Sequence, residues 1–184
     1  MKTNELHIIA QVLGGKTEAF SYFMDTYGQQ VFHLIVRMVG SEEDAEELTQ
    51  DTFMKAFSHL SSFCGNSSFS TWIYRIAYNT ALSALRKHST EEVLTFDEGV
   101  WERLSDTEID ESLDSEEESR IERLQHAIRQ LSPEEQALLT LFYEEGKTVA
   151  ELAEIVKQTE NNVKVKLHRI RKKLYLLMKE EENK

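Results

Sequence analysis

Helix-start signals punctuate the C-terminal third of this chain more tightly than any other feature. Ser132-Pro133-Glu134-Glu135 and Thr148-Val149-Ala150-Glu151 each set a hydroxyl residue ahead of a glutamate at capping-box spacing. In that arrangement the hydroxyl accepts a backbone N–H of the first turn, and the glutamate reaches back to the N–H of the capping residue. Donors that a helix start leaves open are thereby satisfied. Pro133 strengthens the first signal, because its ring presets φ and its missing N–H is not needed at the first helical position. The spacing therefore predicts a helix from Ile121 to Leu131 and a second, carrying Ala137, Leu138, Leu141 and Phe142, that ends near Gly146. The short helix TVAELAEIV follows, then a turn at Lys157-Gln158, and Thr159 can cap a last helix running to about Lys179. A short helix, a tight turn and a longer helix make a helix-turn-helix.

Charge gives that last helix a purpose. Between Lys157 and Lys173 stand seven Lys or Arg against one acid, Glu160, whereas the whole chain is at −12. Val163, Leu167, Ile170 and Leu174 recur at helical spacing and should pack inward. Asn161, Asn162, Lys164, Val165, His168, Arg169, Lys172 and Lys173 are left to face out. A recognition helix enters the major groove by its N-terminal part, where Asn and Lys read base edges. Later cations reach phosphates.

The overall acidity is concentrated in one segment. Residues 1–88 carry seven bases and nine acids, 89–119 one base and thirteen acids, and 120–184 thirteen bases and eleven acids. The middle segment thus accounts for the excess, and global acidity is no argument against DNA binding. Its apolar residues, Val93 to Leu113, keep no sustained period, so 89–119 is expected to be an acidic, self-repelling flexible linker between two domains. Its apolar spots leave open whether it is a plain tether or docks when the protein is engaged.

Upstream, apolar positions again recur at helical spacing: Leu6, Ile9, Ala10 and Leu13, then, after Gly14-Gly15, Ala19, Phe20, Phe23, Met24 and Tyr27. A third run, Val31 to Met38, is apolar nearly all round and suits a helix buried in a bundle. Gly40 should end it, and Ser41 should cap a helix over 43–57 that buries Leu48, Thr52, Phe53, Ala56, Phe57 and Leu60. The other face of that helix shows Glu43, Glu46, Glu47, Gln50 and Asp51, which by periodicity alone is either a solvated face or a docking surface. Residues 61–72 read as a loop. A helix from Ser70 to about Lys87 then sets Arg75, Asn79, Leu82 and Arg86 on one face, with Trp72, Tyr74 and Tyr78 near it. Arginines and aromatics beside a flexible loop holding Phe63, Gly65, Asn66 and Ser67 suit unstacked bases of single-stranded nucleic acid. Phe69 is better read as an anchor of the loop to the core.

Seven Gly and a single Pro agree with an all-α chain. The expected architecture is two small helical domains, 1–88 and 120–184, the second a helix-turn-helix, joined by the acidic linker 89–119. The lone Cys64 allows no internal disulfide or Cys-based zinc site. The N-terminus lacks a signal-peptide core, and no apolar run is long enough to span a bilayer, so a cytoplasmic protein with no membrane insertion is expected. The six His are scattered without metal-ligand spacing or a Cys–His partner. No catalytic residue, metal site or cofactor is therefore expected, and an enzyme is the least favoured class.

Taken together, DAEELTQDTFMKAF (44–57), SFSTWIYRIAYNTALSALRK (68–87), LSPEEQALLTLFYEEG (131–146) and TVAELAEIV with NNVKVKLHRIRKKL (148–174) resemble the extracytoplasmic-function class of bacterial sigma factors, in the family's order. The resemblance implies a non-catalytic transcription-initiation subunit of two helical domains and a linker. It implies core RNA polymerase as partner, through the clamp of the largest subunit and the flap region, with Asp44, Glu47, Gln50 and Asp51 at the clamp. Phe63 and Asn79 match positions of a pocket for a flipped base of the minus-10 element, with Gly65, Asn66 and Ser67 in the loop and Trp72, Arg75 and Arg86 along the helix. Lys164, His168, Arg169 and Arg171 match contacts to the minus-35 duplex, to which Asn161, Asn162, Val165 and Lys172 are added by their place on the helix. The linker resembles the segment that threads towards the polymerase active centre, and a cognate anti-sigma factor, in this family often membrane-anchored, is implied. Departures fall at Val156-Lys157-Gln158, where the turn often holds a small residue, at Asn161-Asn162 in place of Gly-Thr, and at Val165 in place of a serine. Two other classes compete: a sigma-like mimic that binds only an anti-sigma factor, which should lack the basic residues, and a one-component repressor, which needs a sensory pocket or dimer interface.

Overall fold

A computed structural model describes residues 2–88 and 117–182, and among these every regular element is helical. The helices are α1 (Lys2–Leu13), α2 (Ser21–Val39), α3 (Glu42–Ser58), α4 (Phe69–His88), α5 (Glu117–Arg129), α6 (Pro133–Leu139), α7 (Val149–Val156) and α8 (Glu160–Glu182). Single turns of 3₁₀ helix, Thr17–Phe20 and Leu60–Ser62, lead into α2 and follow α3. Most of the expected linker, 89–116, lies outside the described residues; its last three positions already belong to α5, which starts before Ile121.

The cap residues act as their chemistry requires. Ser132 Oγ accepts from Glu135 N at 3.3 Å while Ser132 N donates to Glu135 Oε2 at 2.8 Å. Thr148 and Glu151 make the same reciprocal pair at 3.3 and 3.0 Å. Ser41 Oγ takes Asp44 N, and Thr159 Oγ1 takes Asn162 N, both at 3.2 Å. Gly40 ends α2 in the left-handed region at φ +75°, where a Cβ would be strained.

Three expectations change. The second and third apolar runs are joined in one helix, α2, which runs through Gly28 without a break. The helix after Ser132 is not a single α-helix: α6 passes at Thr140 into a π-helical turn, Thr140–Glu144, closed by Glu145 N to Thr140 O at 3.0 Å. Phe57, expected inside, is 42% exposed, although its ring meets Phe20 edge-on at 5.2 Å.

The N-terminal core centres on Phe23, Leu34 and Ile35 of α2 and Ile73 and Ala77 of α4, all fully buried. Phe69 is 1% exposed and stacks on Phe23 at 3.9 Å, the anchoring role expected of it. In the C-terminal part Leu141, Leu152, Ile155, Val163 and Ile170 are buried, and Leu167 is nearly so. These two sets are not separate: α4 packs on α7 and α2 on α6, so one continuous apolar cluster runs through both.

Among the described residues, the turn between α7 and α8 is the one place where a side chain sits in the left-handed region. Lys157 has φ 54° and ψ 48°. Such a conformation costs a non-glycine residue about 1 kcal/mol. Lys157→Gly should therefore raise stability by about 0.5–1 kcal/mol, seen as a higher urea midpoint at unchanged slope.

Candidate polymerase and nucleic-acid interfaces

Three surfaces hold the residues singled out from the sequence. The first is on α3. Glu43, Asp44, Glu46, Glu47, Gln50 and Asp51 are all exposed. Asp44, Glu47 and Asp51 form a wall of an open groove of about 340 Å³ between α3 and α4. Lys55 closes it from below by donating to Thr80 Oγ1 at 3.1 Å. The acidic row thus borders a concavity of the surface.

The second surface is the loop before α4 and the α4 face beyond it. Ser68 Oγ accepts Thr71 N at 3.1 Å, starting the helix, and Gly65 holds the loop tip at φ +70°. Asn66 is exposed and Ser67 half-buried. Phe63 is half-buried, meeting Phe69 and Trp72 edge-on at 5.7 and 5.4 Å. Trp72 itself is only 6% exposed and Tyr78 only 5%, so both are packing residues here and the available aromatic face is that of Phe63. Burial and the nearby Glu134 carboxylate push the Tyr78 hydroxyl up to about 12. Asn79 is half-buried, its amide donating to Arg75 O at 2.6 Å. Arg86 is exposed.

The third surface is the N-terminal half of α8. Asn161, Asn162, Lys164, Val165, His168, Arg169 and Arg171 are exposed, and Lys172 is half-buried. Val163 and Ile170 are inside, so the register is the expected one. Lys173 is the exception: its ammonium donates to Glu135 Oε2 at 2.8 Å and its side chain is only 12% exposed. Placed opposite the capping box of α6, it ties α8 to α6 and does not face out.

Sequence reasoning missed the seam between the two halves. Tyr74, 2% exposed, donates its hydroxyl to Glu145, and burial followed by that carboxylate drives its pKa far up. Thr71 Oγ1 donates to Glu151 Oε1 at 3.0 Å. Lys147 Nζ donates to Ser70 Oγ at 2.6 Å and lies over the Tyr74 ring, 5.2 Å from its centroid. Arg75 faces Glu154 at 3.7 Å, and His33 meets Glu144 at 2.5 Å. The capping box was legible; that its glutamate also reaches another helix was not, since nothing local encodes a partner so distant in sequence.

Burial alone would raise the Glu151 carboxyl. Hydrogen bonds from Thr148 N and the Thr71 and Thr148 hydroxyls, with the Lys147 ammonium nearby, outweigh it and leave the pKa below the ordinary 4.5. A depressed carboxyl stabilises the fold above its unfolded value and loses that contribution as pH falls through the folded one. Urea stability should therefore drop below pH 4.5, and the drop should be shallower in Glu151→Gln, which keeps the cap but cannot titrate.

Among the described residues no helix is long and apolar enough to cross a membrane, and no group of His, Cys, Asp and Glu is placed to hold a metal ion. Residues 23–91 match the family model for sigma-70 region 2, and residues 121–174 that for sigma-70 region 4. The chain is 30% identical over 172 residues to the ECF RNA polymerase sigma factor SigW of Bacillus subtilis, covering 90% of this chain and 92% of that one. It is 32% identical over 174 residues to the ECF RNA polymerase sigma-E factor of Haemophilus influenzae, covering 89% of each. In fold it resembles CnrH, solved with the cytosolic domain of CnrY, at a TM-score of 0.64, 20% identity, and coverage of 94% of this chain and 95% of that one. It also resembles RpoE of Bartonella quintana, solved with the anti-sigma factor NepR, at 0.63, 20% identity, and coverage of 87% and 96%. With relatives at this identity along nearly their whole length, the chain belongs to the extracytoplasmic-function RNA polymerase sigma factors of the sigma-70 family.

Proposed function

We propose that residues 1–88 form the polymerase-binding and minus-10-reading domain, that 120–184 form the minus-35-reading domain, and that 89–119 tether them. The observation that carries this reading is the exposed N-terminal face of α8, presented by a doubly capped helix-turn-helix in a chain whose α3 offers a separate acidic groove. Asp44, Glu47, Gln50 and Asp51 dock on the clamp of the largest core subunit, and the C-terminal domain meets the flap region. Phe63 stacks a base taken out of the duplex, Asn79 hydrogen-bonds its edge, and Gly65, Asn66 and Ser67 wrap it. Extruding a base costs a few kcal/mol, which stacking and hydrogen bonding offset. Arg75 and Arg86 hold the strand's phosphates, while Trp72 supports Phe63 from behind.

On α8, Asn161, Asn162 and Lys164 read base edges, and the apolar Val165 touches a thymine methyl. His168, Arg169, Arg171 and Lys172 hold the backbone. The chain supplies no chemical step of its own and acts in the cytoplasm, where the polymerase works. A cognate anti-sigma factor, membrane-anchored in the simplest arrangement, holds it in reserve; the likeness to RpoE, solved with the anti-sigma factor NepR, supports a partner of that class.

Purified core polymerase should give a promoter-specific run-off transcript only when this chain is added, and a chain that supports none from any genomic template overturns the proposal. Two substitutions should separate the DNA surfaces. Arg169→Ala should weaken minus-35 duplex binding about ten-fold and lower the salt slope by about one. Asn79→Ala should spare duplex binding yet remove permanganate reactivity of the minus-10 strand.

A further inference from the structure

The first helix belongs to none of the three surfaces, yet it reaches the loop that carries the proposed base pocket. Ile9 and Val12 bury α1 in the domain core, and Glu5, only 8% exposed, accepts the Tyr27 hydroxyl of α2. An enclosed carboxylate sets the rotation of α1 about its axis, because turning the helix would leave the charge away from water and without its donor. The next residue along, Leu6, lies over the loop tip: its Cδ2 is 3.7 Å from the point that a Cβ on Gly65 would occupy. A singly exposed leucine needs no explanation in general. Leu6, 52% exposed, differs in being seated against a glycine of that loop. α1 also packs on the single turn Leu60–Ser62 from which the loop departs. Tyr27 in turn meets Phe69 at 5.7 Å, and Phe69 meets Phe63 edge-on at the same distance. Neighbouring residues of α1 thus reach the pocket by two routes, Glu5 through the aromatics and Leu6 directly at the tip.

We propose that Leu6 is a positioning residue for minus-10 reading: it seats the loop at Gly65 and so sets where Asn66 and Ser67 stand relative to Phe63. Gly65 suits the contact because it has no Cβ, and the leucine approaches its backbone directly. At φ +70° the tip also disfavours a bulkier residue that could stiffen the loop from within, so its support comes from a neighbouring helix. A loop that must be ordered when a base enters takes the cost of ordering out of the binding free energy. Leu6 supplies that order beforehand, from a helix fixed in the domain core. Because the side chain is half exposed, shortening it disturbs the loop far more than the fold. The proposal rests on the reading of Phe63 and Asn79 as the base pocket.

The test measures binding of the holoenzyme, core polymerase with the full chain, to a fluorescein-labelled minus-10 single strand from a promoter that supports run-off transcription. Companion strands each replace one base by an abasic site. With the unaltered chain one position should stand out, its loss weakening binding about ten-fold, as expected of a stacked base. Leu6→Ala should weaken binding of the intact strand about five-fold and shrink the abasic penalty to about two-fold, a non-additive pair of losses. Leu6→Met, which restores an apolar side chain of similar volume, should recover most of both. Leu6→Val should give a smaller loss of the same kind even if alanine frays α1. Leu13→Ala, at an equally exposed leucine of α1 (55%), should move neither reading. Minus-35 duplex binding should be unchanged in every variant. A Leu6→Ala or Leu6→Val holoenzyme that keeps the full abasic penalty overturns the positioning role, whether or not its overall affinity falls. If no position stands out with the unaltered chain, the base pocket itself is overturned, and the role of Leu6 with it.

Discussion

The Glu151 carboxylate carries two structural duties at once. One oxygen closes the capping box of α7 through Thr148 N, and the other accepts the Thr71 hydroxyl of α4. The start of the helix-turn-helix and part of the joining of the two halves therefore share one side chain. A carboxylate placed this way is held ionised by donors from three directions, so it stays an acceptor for both helices at neutral pH. Around it the apolar residues of α4 and α7 close into one cluster, which gives a set of individually weak polar contacts a buried partner surface to act across.

The distribution of charge follows the same division of labour. Two of the acidic clusters have different settings: that of α3 faces solvent beside a groove, and Glu145, Glu151 and Glu154 face another helix of the same chain. Basic side chains gather on α8, which neither setting covers. A chain of net charge −12 thus keeps a cationic helix exposed and meets its own arginine, Arg75, with its own glutamate, Glu154. Large-scale acidity and local affinity for nucleic acid coexist because screening confines each field to about 10 Å.

What was legible in the sequence was whatever is encoded within a few residues. The capping boxes at Ser132 and Thr148, the glycine end of α2, the inward step of Val163, Leu167 and Ile170 and the exposed acids of α3 all follow from spacing along one helix. Each failure involves a partner from elsewhere. Trp72 carries an amphipathic aromatic signature, yet Phe63 and Phe69 enclose it. Lys173 has the phase of a phosphate contact, yet Glu135 from another helix claims it. The π-helical turn at Thr140–Glu144 inserts an extra residue into the last turn before the helix-turn-helix, a shift that no periodicity announces.

That inserted residue bears directly on the seam. A π turn advances the chain's facing relative to a continued α-helix, and it lies immediately before Glu145 and Lys147. Both groups leave the turn aimed at α4, where Tyr74 and Ser70 receive them. Lys147 N meanwhile bonds back to Leu141 O at 2.9 Å, so the exit from the turn is fixed from within its own helix. Had α6 run on as a regular α-helix to Gly146, these two side chains would emerge about 100° further round for each residue of slip and miss their partners. The local irregularity and the long-range docking are thus one feature seen at two scales. An irregular turn is retained where regular geometry would leave the buried Tyr74 hydroxyl without an acceptor.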